Sequence, residues 1–361
     1  MLPHFIFQGS PFAQGLAHGE SLKSSIQNNI EVYVDRFTSE AGMKKNELYD
    51  NAKTYSAVLN KQNSNYLDGM KGISRGSGIN FIEIAMLNLR YELLYNALGK
   101  RYMDQTTDGC TAFAIMPEAN KTKHVIIGQN WDWIPDIECV LITNINTNGI
   151  KNLSFTEAGI FAGKPGMNSK GIGLTVNGMY SNEDDWLRLC KPFHVRCYEI
   201  LQSSNLNRAL NVLKKTNRSC TSNFIIGEAN NKAIDIELAP NTHRIIIPKN
   251  GIITHANHLQ NQTKINVKEP PNPQRYHSEF RQKQMQLLLE RGKPLTLADI
   301  KLIMQNHKNK PQSLCRHRDL TLPSSQHTIT KTAMIMNLDT REMLVTSGNP
   351  CTSKFEHFTL D

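Results

Sequence analysis

Asp108-Gly109-Cys110-Thr111 is the stretch on which the reading of this chain turns, because the texture of the sequence changes there. From Thr111 onward, short runs of β-forming residues alternate with turns: Thr111 to Met116, His124 to Gln129, Val140 to Asn144, Gly171 to Val176, Asn223 to Gly227, Ala233 to Leu238 and Arg244 to Ile247. Before Asp108 the chain reads as helical. Ile26, Ile30, Val34 and Phe37 recur every three or four residues, and Leu48 to Leu59 and Phe81 to Leu98 continue the pattern. Gly72, Gly76 and Gly78 read as punctuation between these helices.

Helical runs also interrupt the strands at Pro192 to Gln202 and Leu206 to Lys214, and follow them at Ser278 to Arg291 and Thr296 to Asn306. A last pair of strands, Thr332 to Leu338 and Met343 to Ser347, flanks the turn Asp339-Thr340-Arg341. Helices before, between and after antiparallel strands predict an α+β fold in which helix layers cover stacked sheets. A helical leader, residues 1–109, would deliver the chain to a strand beginning at Cys110, with 110–361 forming the catalytic part and both packing as one globular unit.

The residues around Cys110 permit a specific chemistry. Glycine has no Cβ, so the Gly109 carbonyl can be approached closely and its peptide can take strained dihedrals. The Cys110 sulfur could attack that carbonyl, giving a thioester that water opens and leaving Cys110 as a new N-terminus. The freed α-amine, with a reference pKa near 7.7 to 8.0, could then take the thiol proton near neutrality, so no histidine would be needed. Pro117-Glu118-Ala119-Asn120-Lys121 reads as a hairpin loop. Pairing across it would bring Asp132, in Gly128-Gln129-Asn130-Trp131-Asp132-Trp133, near Cys110, where a carboxylate could hold the amine or orient the thiol. Asn177, ending a strand after Met167-Asn168-Ser169-Lys170-Gly171, and Asn257, in Thr254-His255-Ala256-Asn257-His258, suit an oxyanion hole, because a neutral amide donates without giving up a proton. The bland alternatives are a buried structural thiol at Cys110, a turn-capping Asp132 beside packed Trp131 and Trp133, and asparagines in turns.

Composition bounds the possibilities. The 361 residues are 39% hydrophobic and 20% charged, enough for a large core and unlike a disordered or fibrous chain. The seven cysteines are scattered and without CxxC spacing, which argues for a reducing compartment. Met1-Leu2-Pro3-His4-Phe5 does not read as a secretory signal and no apolar run approaches a membrane span, so a cytoplasmic protein is expected. The net charge of +9 is dispersed; even the densest stretch, Lys308 to Arg318, does not line one helical face, which argues against a nucleic-acid partner.

Taken together, these segments resemble the family of acyl-coenzyme A:6-aminopenicillanic acid acyltransferase, the peptidase C45 group of the Ntn hydrolases. The resemblance rests on Gly15-Leu16-Ala17-His18-Gly19, Gly109-Cys110-Thr111, Gln129-Asn130-Trp131-Asp132, Gly166 to Gly171, Thr254 to His258, Asn306-His307 to Cys315-Arg316-His317, and Gly348-Asn349-Pro350-Cys351. It implies an αββα sandwich made as a precursor and cut autocatalytically between Gly109 and Cys110 into α and β chains. By resemblance, Cys110 is the nucleophile, Asp132 the nearby carboxylate, Asn257 the oxyanion asparagine and Asn177 a second one. Two departures stand out. Gln129 occupies the place of an arginine in related bile-salt hydrolases, and Thr328-Ile329 replaces the Ser-Arg pair of the penicillin acyltransferase, leaving Arg275 and Arg316 as candidates for the missing arginine. The implied substrate is a small N-acyl amine, amino-acid amide or acyl-CoA-like thioester, as insect hydrolases of β-alanyl amines belong to the same broad family.

Two other readings stay open. A papain-like hydrolase would pair Cys110 with His255 or His258 without self-cleavage, and a basic non-enzymatic binding protein would keep the fold without the chemistry. A metal site of His255, His258, Cys315 and His317 is allowed by residue type, but the spacings fit no zinc pattern, and neither metal nor cofactor is expected. His307, the other cysteines and Trp186 read as structural.

Overall fold

The computed structural model describes residues 2–39, 42–101, 109–215, 217–230, 232–272 and 275–360, excepting the side chains of 95–101 and 325, so Asp108 lies outside the described residues. The chain begins with a strand, β1 (His4–Gly9), which corrects the all-helical expectation for the leader. Phe5-Ile6-Phe7 is a short β-forming run whose partner strand comes from the far side of the leader, so no local pattern announces the pairing. Helices follow: α1 (Pro11–Ser21), α2 (Lys23–Ser39), α3 (Lys45–Ser56), the short α4 (Leu59–Gln62), α5 (Ser64–Ser77) and α6 (Phe81–Arg101). Ser10 caps α1 by accepting from the Ala13 amide at 3.2 Å, and Asn63 caps α5 through the Tyr66 amide at 2.9 Å. Gly78 ends α5 with φ of +71°, as a left-handed C-cap requires.

Gly72 and Gly76 do not punctuate; they lie inside α5, where it packs backbone to backbone on α1. A Cβ on Gly72 would run into the Phe12 carbonyl oxygen, and one on Gly76 into that of Leu16, while Gly15 and Gly19 meet α5 in the same way. Replacing Gly72 by alanine therefore sets two effects against each other. Helix propensity would favour alanine by about 0.5–1 kcal/mol. Overpacking against a fixed backbone oxygen costs about 1–3 kcal/mol, and we expect it to win. A thermal melt of Gly72→Ala should show a lower midpoint than wild type; a higher one would mean the helices can separate freely.

The chain from Gly109 onward supplies β2 (Thr111–Ile115), β3 (Ile126–Trp133), β4 (Cys139–Asn146), β5 (Lys151–Glu157), β6 (Gly166–Asn168) and β7 (Ile172–Gly178). After α7 (Phe193–Leu201) and α8 (Leu206–Lys214) come β8 (Ser222–Glu228), β9 (Lys232–Leu238), β10 (His243–Ile246) and β11 (Ile252–His255). The short α9 (Gln262–Ile265), α10 (Arg275–Arg291) and α11 (Leu297–Met304) precede β12 (Ile329–Asn337), β13 (Glu342–Thr346) and β14 (Phe355–Thr359). Two sheets result, ordered β1-β4-β5-β6-β7-β8-β9-β10 and β11-β2-β3-β12-β13-β14. β1 joins β4 in parallel, so the leader is built into the larger sheet.

β2 and β3 of the smaller sheet pack on β7 and β8 of the larger. Period-two alternation makes this possible: Ala112 and Ala114 lie in the core between the sheets, whereas Phe113 and Ile115 join Met285, Leu289 and Ile303 of α10 and α11 on the outer side. On the other side, Leu174, Val176, Phe224 and Ile236 pack under Cys197, Leu201 and Leu213 of α7 and α8. The layers run helix, sheet, sheet, helix, which is the αββα sandwich expected. No helix among the described residues is long and apolar enough to cross a membrane.

Candidate active site

Cys110 immediately precedes β2 and is 3% exposed. Thr111 pairs with Asn130, so continuing the antiparallel register sets Cys110 beside Trp131 and Gly109 beside Asp132. The expected approach of Asp132 is thus a product of the hairpin. The Cys110 thiol donates to the Asp132 carbonyl oxygen at 3.8 Å, and the Asp132 carboxylate is buried, accepting from Thr330 Oγ1 at 2.6 Å. A methyl on Gly109 would collide with Arg316 Nη1 and lie 2.8 Å from Asp132 Oδ2. Gly109, Asp132 and Arg316 therefore meet at the peptide bond preceding Cys110.

Of the two candidate arginines, the structure brings Arg316 to this point and leaves Arg275 out of it. Arg316 is buried, its guanidinium donates to Gln312 Oε1, and its amide donates to Thr330 Oγ1 at 2.8 Å, so Thr330 ties Arg316 to Asp132. Arg275 instead pairs with Glu269 and Glu279 and donates to the Leu259 carbonyl. Gln129 is also structural: its side chain donates to the Val176 carbonyl and accepts from the Val176 amide at 3.1 Å, bolting the two sheets together.

Asn257 is held at both ends of its side-chain amide. Its Nδ2 donates to the Gly178 carbonyl at 3.0 Å, and its Oδ1 accepts from Arg281 Nη2 at 2.9 Å. Sequence reasoning missed Arg281; from α10 it also reaches Thr111 Oγ1 at 3.3 Å, linking Asn257 to the residue after Cys110. Asn177 is engaged elsewhere. Its Nδ2 donates to Asn223 Oδ1 at 2.6 Å, and Asn223 donates in turn to Asp235. Burial pushes Asp235 up to about 7.

His255 has both ring nitrogens occupied, by the Ala256 carbonyl at 2.8 Å and by Glu237 Oε1 at 3.0 Å, and His258 Nδ1 pairs with Ser278 Oγ at 2.8 Å. Burial alone would lower the His255 pKa, but Asp235 and Glu237 raise it. His255 thus joins the two sheets and His258 ties to α10, and the metal set that included them is not assembled. Cys315 and His317 gather instead with His307 and Cys351, the one such His/Cys/carboxylate cluster among the described residues.

Cys110 opens on a cavity of about 30 Å³ shared with Trp131, Trp133, Val176, Gly178, Tyr91, Phe193, Arg90 and Lys164. That is room for a water molecule. Behind it Glu157 binds both Arg90 and Lys164, with Lys164 lying 4.6 Å from the Trp131 ring centre. Burial would raise the Glu157 pKa, but the two cations overcome it and hold it at about 2. Its folded-state pKa is depressed, so this carboxylate stabilises the fold above its ordinary value of 4.5, and the contribution is lost as pH falls toward 2. Glu157→Gln leaves two buried cations without that charge. We expect a loss of about 3–5 kcal/mol at neutral pH, shrinking toward acid, in denaturant titrations across pH.

The sequence signature described as Acyl-coenzyme A:6-aminopenicillanic acid acyl-transferase matches residues 118–351, well over half the chain. The chain belongs to this family. Over 318 residues it is 27% identical to the 40 kDa form of acyl-coenzyme A:6-aminopenicillanic-acid-acyltransferase from Emericella nidulans, covering 87% of this chain and 84% of that one. Among solved structures, penicillin V acylase from Agrobacterium tumefaciens aligns at 12% identity with a TM-score of 0.49, covering 70% of this chain and 86% of that one. A mutant form of conjugated bile acid hydrolase from Clostridium perfringens aligns at 12% identity with a TM-score of 0.47, covering 70% and 97%. Membership in the family makes the chain an acyl-transferring enzyme.

Proposed function

We propose that this protein is a self-processing cysteine amidohydrolase or acyltransferase with Cys110 as nucleophile, acting on a small N-acyl amine, amino-acid amide or acyl thioester. The observation that carries the reading is the convergence of Asp132 and Arg316 on the Gly109–Cys110 peptide, with Cys110 lining a small cavity. In processing, the Cys110 sulfur bonds to the Gly109 carbonyl carbon and the C–N bond breaks, with the thiol proton passing to the leaving amine. Water then opens the thioester, leaving a Gly109 carboxylate on the α chain (1–109) and a free thiol and amine at the start of the β chain (110–361).

In turnover the α-amine takes the thiol proton and the sulfur adds to the substrate carbonyl. Asn257 Nδ2 has two hydrogens; the Gly178 carbonyl holds one, which orients the other for the developing oxyanion. The leaving amine or thiol takes the proton from the α-amine, and acyl-Cys110 remains for water or an acceptor amine. Asn177 keeps its place in the proposal as a second donor only if it exchanges its bond to Asn223 for one to substrate. Acyl-CoA belongs in the substrate panel because the Emericella nidulans relative is named for it. The engagement of His255 by Glu237 and Ala256 works against the papain-like reading.

The test is acid-quenched mass spectrometry of the purified protein with N-acyl amines, amino-acid amides and acyl-CoA thioesters. An acyl increment on the fragment beginning at Cys110, absent in Cys110→Ala, is expected. Turnover that survives in Cys110→Ala, with no adduct in either protein, would refute it.

A further inference from the structure

Four side chains outside the Cys110 pocket converge on one point. His307 and His317 have their Nε2 atoms 3.0 Å apart, and Cys315 and Cys351 have their sulfurs 3.5 Å apart. His317 Nε2 is 3.6 Å from Cys315 Sγ and 3.5 Å from Cys351 Sγ, and all four ligand atoms lie within 4.8 Å of one another. A regular tetrahedron built on Zn–S bonds of about 2.3 Å and Zn–N bonds of about 2.0–2.1 Å has edges of about 3.8 Å between sulfurs, 3.6 Å between sulfur and nitrogen, and 3.3 Å between nitrogens. The edge between the sulfurs, the edge between the nitrogens and the two from His317 to the sulfurs match this within a few tenths of an ångström, and the two from His307 to the sulfurs are no longer than 4.8 Å.

We propose that His307, Cys315, His317 and Cys351 bind one zinc ion in a closed tetrahedral site. Two thiolates and two imidazoles favour zinc over magnesium, calcium or manganese, which prefer oxygen, and they leave no open position for catalysis. Binding replaces the two thiol protons, which go to solvent, with metal–sulfur bonds and gives a neutral centre. Asn349 supports the site from outside by donating from Nδ2 to Cys315 Sγ at 3.5 Å and to the Arg316 carbonyl at 2.6 Å. The spacing, with three ligands between residues 307 and 317 and the fourth at 351, matches no short zinc motif, which is why the sequence hides it.

The position gives the ion a role. It joins the segment between α11 and β12 to the turn that follows β13. Arg316 sits between two of the ligands, so the ion fixes the backbone that carries Arg316 to Gly109. The metal site stands independently of the proposed chemistry at Cys110; only this positioning role rests on it.

The test is metal analysis of the full-length protein expressed with zinc and purified under reducing conditions, together with cobalt substitution. One equivalent of zinc is expected, and the cobalt form should show thiolate-to-cobalt charge transfer and the intense visible bands of a tetrahedral site. Cys351→Ala should bring bound metal to background, whereas Cys139→Ala should retain it. Wild-type cobalt spectra do not depend on the variants folding. Folded wild-type protein without stoichiometric zinc or a thiolate–cobalt band would overturn the proposal, as would unchanged metal in Cys351→Ala or a Cys315–Cys351 disulfide in the purified protein. The positioning role alone is tested by chelating the metal from the uncut precursor, with self-cleavage expected to slow and to recover on adding zinc back.

Discussion

Asn257→Ala is expected to lower kcat by about 10²–10³-fold on an amide or thioester substrate while changing KM little. The reason is geometric. Gly178, whose carbonyl fixes one hydrogen of the Asn257 amide, also lines the cavity into which Cys110 opens. Arg281 holds the other end of the same amide and should behave as a positioning residue. Arg281→Ala removes its bonds to both Asn257 and Thr111, so a smaller fall in kcat is expected, partly recovered in Arg281→Lys. Single-turnover kinetics separates these cases. An Asn257→Ala enzyme with unchanged kcat and a raised KM would make Asn257 a substrate-binding group instead.

Gly109→Ala is expected to slow self-cleavage by about 10²-fold or more, because an ångström of misplacement at the reacting carbon is worth that much. Alanine is chemically almost identical to glycine as an acyl group, so the effect must come from space. The added methyl would enter the volume of Arg316 Nη1 and Asp132 Oδ2. Neither can easily retreat: Arg316 is bonded to Gln312 and Thr330, and Asp132 to the same Thr330 hydroxyl. The time course of uncut chain on a denaturing gel reads this directly. Normal cleavage in Gly109→Ala would mean that the convergence of these groups does not constrain the bond.

The hairpin joining β2 and β3 was legible because its two runs are adjacent and alternate with period two, and its register carries Asp132 to Gly109. The helix layers were legible for the same local reason. β1 and β5 were not, since β1 is completed by β4 across the whole leader, and β5 contains Asn152 and Ser154 within a buried strand. Gly72 and Gly76 misled because a glycine read in isolation signals a break, while here it marks contact with a helix distant in sequence. At the site, Cys110, Asp132 and Asn257 could be named from the resemblance. Arg281, Arg90, Lys164 and Glu157 could not, because each gains its meaning from a partner on another element. Asn177 is the reverse case, an asparagine in a suitable strand whose amide is taken by Asn223.

If Cys110 severs its own bond to Gly109 and works thereafter as an N-terminal nucleophile, the purified protein must carry the mark of that cut in its mass. Intact mass spectrometry beside Cys110→Ala reads it without any substrate. Two fragments are expected in the wild type, one ending at Gly109 and the other beginning at Cys110, with a single uncut chain in the variant. A single uncut chain in both, with activity retained by the uncut wild type, would contradict self-processing and the α-amine mechanism with it.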